Sequence, residues 1–207
     1  KDTGLSSFIH DVERHYSNAD VVSFSFDHQN ARMDKGDIKK KDIIFNYRYA
    51  GGDVTVYEMT GKQLKQYMEW SADYFDTIQA GDTDYRYNAE RKKSKYVTYD
   101  LFGGVKYKID LRKPSGQKIV DLTLANGKPI TDDMKLKVGM NSYRFNQLHG
   151  KGGIFEGQDI PVVWESKVAM GREKGTIQNM MIDYITNVKK GKIQGLSHNN
   201  WEIIGLE

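Results

Sequence analysis

The sequence predicts a mixed α/β domain in which helices pack on the faces of sheets. Three observations carry that prediction. Apolar residues recur at helical spacing near both ends of the chain and once in between. The central block is made of short runs rich in β-branched and aromatic residues, broken by Gly-Gly and Asn-Gly-Lys-Pro turn signals. The 207-residue length suits one sizeable core, so a single domain over 1–207 is expected.

The elements follow in order. In "GLSSFIHDVERHY", Leu5, Phe8, Ile9, Val12 and Tyr16 form one helical stripe, with Ser6 or Ser7 as the expected cap. "ADVVSFSF" reads as a buried strand and "RMDKGDIKKKDI" as a polar connection. Residues 54–59, "VTVYEM", are a strand. Thr60 stands three residues before Gln63, the capping-box spacing, and Leu64, Tyr67, Met68, Ser71, Ala72 and Phe75 follow at helical intervals. Residues 76–95, with "ERKKSK", read as a solvated excursion. "YVTYDLF", Gly103-Gly104 and "VKYKIDL" predict a β-hairpin, because a two-residue turn of that kind needs positive φ. "KIVDLTL", "NGKP" and "MKLKVGM" continue it as an antiparallel meander. In the last run Met134, Leu136, Val138 and Met140 share one face, and the same alternation carried onward puts Asn141 and Tyr143 on the opposite one. "TIQNMMIDYITNV" is the final helix, with Ile177, Met180, Met181, Tyr184, Ile185 and Val188 on one side. Leu64, Met68, Ile109, Met180 and Ile185 are expected in the core.

Composition narrows the function classes. Lys and Arg number 31 against 28 Asp and Glu, a net +3, so no basic field covers the chain; a nucleic-acid polymer is not an expected partner and any anion site must be local. No run of 18 apolar residues exists, so no membrane span is expected, and "KDTGLSSFIHD" lacks the order of a signal peptide. The absence of cysteine excludes disulfides, thiolate metal sites and cysteine nucleophiles. Aromatics make 12 % of the chain, more than a core needs, and tyrosine suits half-wet binding surfaces.

Catalytic signatures are missing. His10 and His15 are five apart on a helix, hence on different faces, and Asp27 with His28 has no second cluster to complete a ligand set. There is no G-x-S-x-G, Walker A or dinucleotide fingerprint, and "HGKGG" lacks phosphate-loop spacing. Two segments read as loops stand out instead: "NYRYAGGD" at 46–53 and "NSYRFNQLHGKGG" at 141–153. Each sets Tyr and Arg beside Asn and then Gly. A ring can stack on a nucleobase, an amide can read its edge, Arg can hold a phosphate and Gly allows close backbone approach. On composition alone the plainer reading comes first: two tyrosine-containing turns with a solvated arginine.

"YEMTGKQLKQYMEWSADYF", "YDLFGGVKYKIDLRKPSGQKIVDLTLANGKPI" and "VGMNSYRFNQLHGKGG", in this order, resemble the C-terminal domain of bacterial 2',3'-cyclic-nucleotide 2'-phosphodiesterase/3'-nucleotidases, a branch of the 5'-nucleotidase family. The resemblance implies a four-layer α/β/β/α sandwich and a nucleoside base clamped between two aromatic rings. By position these are Tyr49 and Tyr143, with Asn141 and Arg144 assisting and Gly152 and Gly153 letting a loop close over the sugar. Tyr143 falls on the family's Asn-Asn-Tyr-Arg pattern, whereas Tyr49 requires a one-residue insertion. Where the 5'-nucleotidase branch has a Gly-Gly-Ile-Arg phosphate motif this chain has "FSFDHQNARM", which supplies Phe26 and Arg32 as contact candidates. The branch's Gly-Gly-Asp-Gly ending is "GKGGIF" here, without the acidic residue. The resemblance further implies that this chain holds no cofactor. Two divalent metals belong to an N-terminal metallophosphoesterase domain whose motifs are absent here. That domain and a nucleotide or nucleoside are the expected partners, and an extracellular, periplasmic or cell-wall location is expected of the parent protein. The alternative is a cell-surface interaction module that binds a host protein or carbohydrate through its aromatic loops.

Overall fold

The computed structural model describes residues 1–93 and 98–206. Its elements are α1 (Gly4–Ser17), β1 (Val21–Phe24), α2 (Lys40–Asn46), β2 (Thr55–Thr60), α3 (Gly61–Ala72), α4 (Ala89–Lys93), β3 (Leu101–Gly103), β4 (Val105–Asp110), β5 (Ile119–Leu124), β6 (Lys135–Met140), α5 (Ser142–His149), β7 (Val162–Glu165), α6 (Ser166–Met170), α7 (Ile177–Asp183) and β8 (Trp201–Ile204), with a π-helical turn over Tyr184–Val188 continuing α7. The expected mixed α/β class is observed. A five-stranded sheet has the order β3-β1-β6-β2-β7 and a three-stranded sheet the order β5-β4-β8. Helix α1 packs on β1, β3 and β6 and against α7, while α3 packs on β2 and β6 and reaches β5 of the other sheet.

The capping box opens α3 as its spacing predicts: Gln63 N donates to Thr60 Oγ1 and Thr60 N to Gln63 Oε1. At α1 the cap is Thr3 rather than Ser6 or Ser7. Those two serines instead donate to the buried Asp2 carboxylate, at 2.6 and 2.7 Å. Leu64, Met68, Ile109 and Met180 are buried, whereas Ile185 is half-buried, packed on the edge of the core.

Two strand expectations fail for one reason. Strands β3 and β4 do not form a hairpin: Ser23 pairs with Phe102 in the large sheet, while Tyr107 pairs with Trp201 in the small one. Gly104, at φ +85°, carries the chain between sheets, and a Cβ there would lie 2.1 Å from the Asp20 carbonyl. Likewise β5 pairs with β4, but β6 leaves the meander and inserts between β1 and β2, parallel to β1 and antiparallel to β2. Tyr96 and Val97 of the expected hairpin, and Ser94 and Lys95 of the expected excursion, lie outside the described residues. The described part of that excursion is not merely solvated. Tyr74, Phe75, Tyr85, Tyr87 and Tyr99 form an aromatic cluster, Phe75 bridges to Tyr87, and the Arg91 guanidinium lies 3.8 Å from the Trp70 ring centroid. Much of the aromatic excess therefore fastens this segment to the body. Helix α2 falls where a polar connection was expected, and β7, α6 and β8 lie in segments where no element was expected.

One buried group affects stability directly. Glu13, on α1, is fully buried and neither carboxyl oxygen has a hydrogen-bond partner. Burial, with the Asp100 charge adding to it, pushes this carboxyl well above its ordinary range. Above the unfolded carboxyl pKa the unfolded chain has released this proton and the folded chain still holds it, so stability falls as pH rises through the window up to the folded pKa. Glu13→Gln should remove that slope. In urea melts across pH 4 to 9, the variant should gain on the parent progressively as pH rises; a constant difference would show that Glu13 ionises freely in the fold.

Candidate binding site

A cavity of about 390 Å³ opens between the exit of β1, the 46–49 segment, the residues before β3 and the start of α5. Tyr49 and Tyr143 both line it, and they are among the most exposed large side chains of the protein, at 56 % and 60 %. Ser23, Tyr67, Thr98 and Asp100 are among its polar lining residues.

The 141–149 segment is a helix, not a strand end followed by a loop. Asn141 takes N-cap geometry, and its Oδ1 accepts from Tyr143 N at 2.8 Å. The side-chain period therefore changes from 2 to 3.6 at residue 141. Phe145 and Leu148, three apart, form the buried face of α5, and Tyr143 stands off that face, which is why it is exposed. Asn141 has a structural contact on both sides of its amide, since Nδ2 also donates to the Tyr47 hydroxyl at 3.4 Å. A cap of this kind contributes about 1 kcal/mol.

Tyr49 is held out by its loop. Tyr47 is buried, and its carbonyl accepts from Gln178 Nε2 at 2.6 Å. Gly52 is required because a Cβ there would lie 2.7 Å from the Tyr47 ring, and its carbonyl accepts from Ile177 N. The backbone around Tyr49 is thus tied to α7 while the ring stays in the cavity wall.

Beneath the rings lies a buried ion pair. Asp100 and Arg144, with side chains 1 % and 13 % exposed, meet at 2.9 Å. Arg144 Nη2 also donates to Thr98 Oγ1 at 2.9 Å and Nη1 to Gln147 Oε1 at 2.6 Å. The Tyr67 hydroxyl donates to the other Asp100 oxygen and accepts from Ser23 Oγ at 2.9 Å. Burial, then the Asp100 charge, pushes the Tyr67 hydroxyl well above its usual range. Burial works against the Arg144 cation, but Asp100, with Tyr67 and Tyr143 adding to it, offsets burial and the guanidinium is held above its usual value. The solvent-facing charge at the cavity is consequently that of Asp27 and the exposed Arg48.

The structure brings Tyr49, Asn141, Tyr143 and Arg144 to one cavity; Phe26, Arg32, Gly152 and Gly153 do not line it. Phe26 packs edge-on against Phe24, with centroids 5.0 Å apart. Arg32 points to solvent beside Asp34. Gly152 N donates to Glu156 Oε2, and Gly153 packs on the Leu148 carbonyl, so both serve the turn after α5. Of the residues the sequence reading missed, Asp100 had a signal: a carboxylate at the entry to an apolar strand must be buried with a cation or a donor set. His10 is buried with Nε2 donating to the Leu101 carbonyl at 3.1 Å, and burial lowers its pKa to about 4. Among the described residues no group of three or more His, Cys, Asp or Glu could hold a metal ion, and no helix is long and apolar enough to cross a membrane.

Two sheets with packed helices thus carry one cavity lined by two exposed tyrosines and by several polar side chains. The family model described as 5'-nucleotidase, C-terminal domain, matches residues 1–156, and the chain belongs to that family. It is 24 % identical over 190 residues to a 2',3'-cyclic-nucleotide 2'-phosphodiesterase/3'-nucleotidase of Haemophilus influenzae, covering 84 % of this chain and 27 % of that protein. Identity to a trifunctional nucleotide phosphoesterase of Bacillus subtilis is 28 %, over 81 % of this chain and 11 % of that protein. The chain thus spans about a quarter or less of the curated relatives it matches. Its fold is shared with a Staphylococcus aureus protein assigned as a 5'-nucleotidase and solved with alpha-ketoglutarate, at TM-score 0.75 and 24 % identity over 95 % of this chain and 36 % of that one. A 5'-nucleotidase precursor of Thermus thermophilus gives 0.66 at 15 % identity, over 97 % and 35 %.

Proposed function

We propose that residues 1–207 form the nucleotide-specificity domain of a two-metal 2',3'-cyclic-nucleotide 2'-phosphodiesterase/3'-nucleotidase, and that Tyr49 and Tyr143 clamp the base. The observation that carries this reading is that two tyrosines from segments far apart in sequence are both exposed on the wall of one cavity, where burial would otherwise be the default for large rings. Stacking on an aromatic contributes roughly 1–3 kcal/mol per base and needs no charge, which suits a cavity whose main arginine is already paired. The hydrolytic chemistry would be supplied by two divalent metals held in the separate metallophosphoesterase domain. This chain orients the scissile phosphate by fixing the nucleoside. The Thermus thermophilus neighbour is a precursor, which supports an exported parent protein.

Calorimetric titration of the purified chain with adenosine and with 3'-AMP tests the reading. Both should bind with dissociation constants around the millimolar range, as expected for a clamp without its catalytic partner. No heat from either ligand at about ten times that concentration, alongside saturable binding to a glycan or protein, would favour an interaction module instead.

A further inference from the structure

The first turn of α5 is fastened at every residue but one. Asn141 caps the helix and donates to Tyr47, Ser142 offers both its N–H and its hydroxyl to Asp53 Oδ1 at 3.1 and 2.9 Å, and Phe145 stacks on Tyr57 with centroids 3.7 Å apart. Arg144 is forked into Thr98, Asp100 and Gln147. Tyr143 is the exception, its side chain standing 60 % exposed. Two of these ties, Tyr47 and Asp53, lie on either side of the other ring, Tyr49, so the two ring-bearing segments are bolted to each other as well as to the sheet.

Resting on the nucleotide reading above, we infer that Arg144 is a positioning residue that holds Tyr143 in the clamp, with Asp100 as its buried anchor, rather than a ligand for the substrate's phosphate. An arginine beside a stacking tyrosine suggests phosphate binding, because a fork of donors matches a phosphate. Here three of the five N–H directions, including both of Nη2, already go to Thr98, Asp100 and Gln147, and the side chain is 13 % exposed. Recruiting it to a phosphate would strip Asp100 of its cation while that carboxylate is 1 % exposed, and an uncompensated buried charge is strongly disfavoured. Fixing α5 is the use that leaves every partner satisfied. A ring on a short helix keeps its orientation only if the turn that carries it cannot rock, and the Arg144–Asp100 pair ties that turn to the strand entry at β3.

The two roles predict opposite responses to one substitution. Asp100→Asn keeps the shape and every donor of Arg144 but weakens its anchor. For a positioning residue, Asp100→Asn and Arg144→Gln should each weaken adenosine and 3'-AMP by the same factor, about tenfold, leaving the ratio of the two affinities as in the parent. For a phosphate ligand, Arg144→Gln would weaken 3'-AMP alone, and Asp100→Asn, by freeing the guanidinium, would strengthen it; either result overturns the inference. Titrations are run well below each variant's melting temperature, where a role confined to global stability leaves both affinities at the parent values, which would overturn it too. Thr98→Val, which removes one tie and keeps both charges, repeats the comparison should Asp100→Asn not fold. If the parent chain binds neither ligand, the nucleotide reading is what has failed. Amide hydrogen exchange then decides the anchoring: Asp100→Asn must accelerate exchange at Tyr143 and Phe145 while the small sheet β5-β4-β8 is unchanged, and parent-like protection at both refutes it.

Discussion

Leu64→Ala and Met68→Ala should each lower the unfolding free energy by about 2–5 kcal/mol, because each deletes a fully buried side chain and leaves a cavity the surroundings cannot fill. The location raises the expected cost. Helix α3 is the element that packs on β2 and β6 of the large sheet and also reaches β5 of the small one, so a void on its buried face loosens the contact between sheets as well as the helix itself. Neighbouring Tyr67 cannot move in to compensate, since its hydroxyl is held by Ser23 and Asp100. Ile185→Ala is the internal control. That residue was expected in the same core, but it is half-buried in the π-helical turn and should cost less than either α3 variant. Urea denaturation with a fixed m-value measures all three, and a Leu64→Ala loss below that of Ile185→Ala would mean that α3 does not carry the core.

What was legible in the sequence follows from how far each signal reaches. The stripes of α1, α3 and the first part of α7 are local, with a period set by the backbone, and packing agreed with them; beyond Tyr184 the helix turns π-helical, and Val188, expected on the same face, is exposed. "DLFGGVKYK" carries an equally local hairpin signal, yet Phe102 pairs with Ser23 and Tyr107 with Trp201, partners that lie far away in sequence and in different sheets. A Gly-Gly pair marks a bend; which strand waits on the other side is decided by long-range pairing that a local pattern does not contain. The same holds at residue 141. Strand alternation put Tyr143 off the core face, and Tyr143 is exposed, but the cause is a helix capped by Asn141 rather than a continued strand. Asn141 also shows what a motif leaves out: "NSYR" reads as an amide, a ring and a cation aimed at a ligand, and nothing in it signals that the amide also caps a helix and the cation also pairs with Asp100.

Tyr143→Ala should weaken adenosine binding by roughly 1–3 kcal/mol, the contribution of one stacked face, which corresponds to about five- to 150-fold in affinity. The effect should be on binding and not on stability, because the ring is 60 % exposed and the helix that carries it is held by Asn141, Ser142, Arg144 and Phe145. Surface truncations of this kind usually change stability by less than about 0.5 kcal/mol. Tyr143→Phe should bind as the parent does, since stacking uses the ring face and not the hydroxyl. Tyr49→Ala should show a comparable loss, and the double variant should lose little beyond the larger single loss if the two rings grip the same base, because a base gripped on one side alone is already poorly held. Titration of the four variants against adenosine decides the matter: an unchanged affinity for either Tyr143→Ala or Tyr49→Ala would take that ring out of the site and remove the clamp.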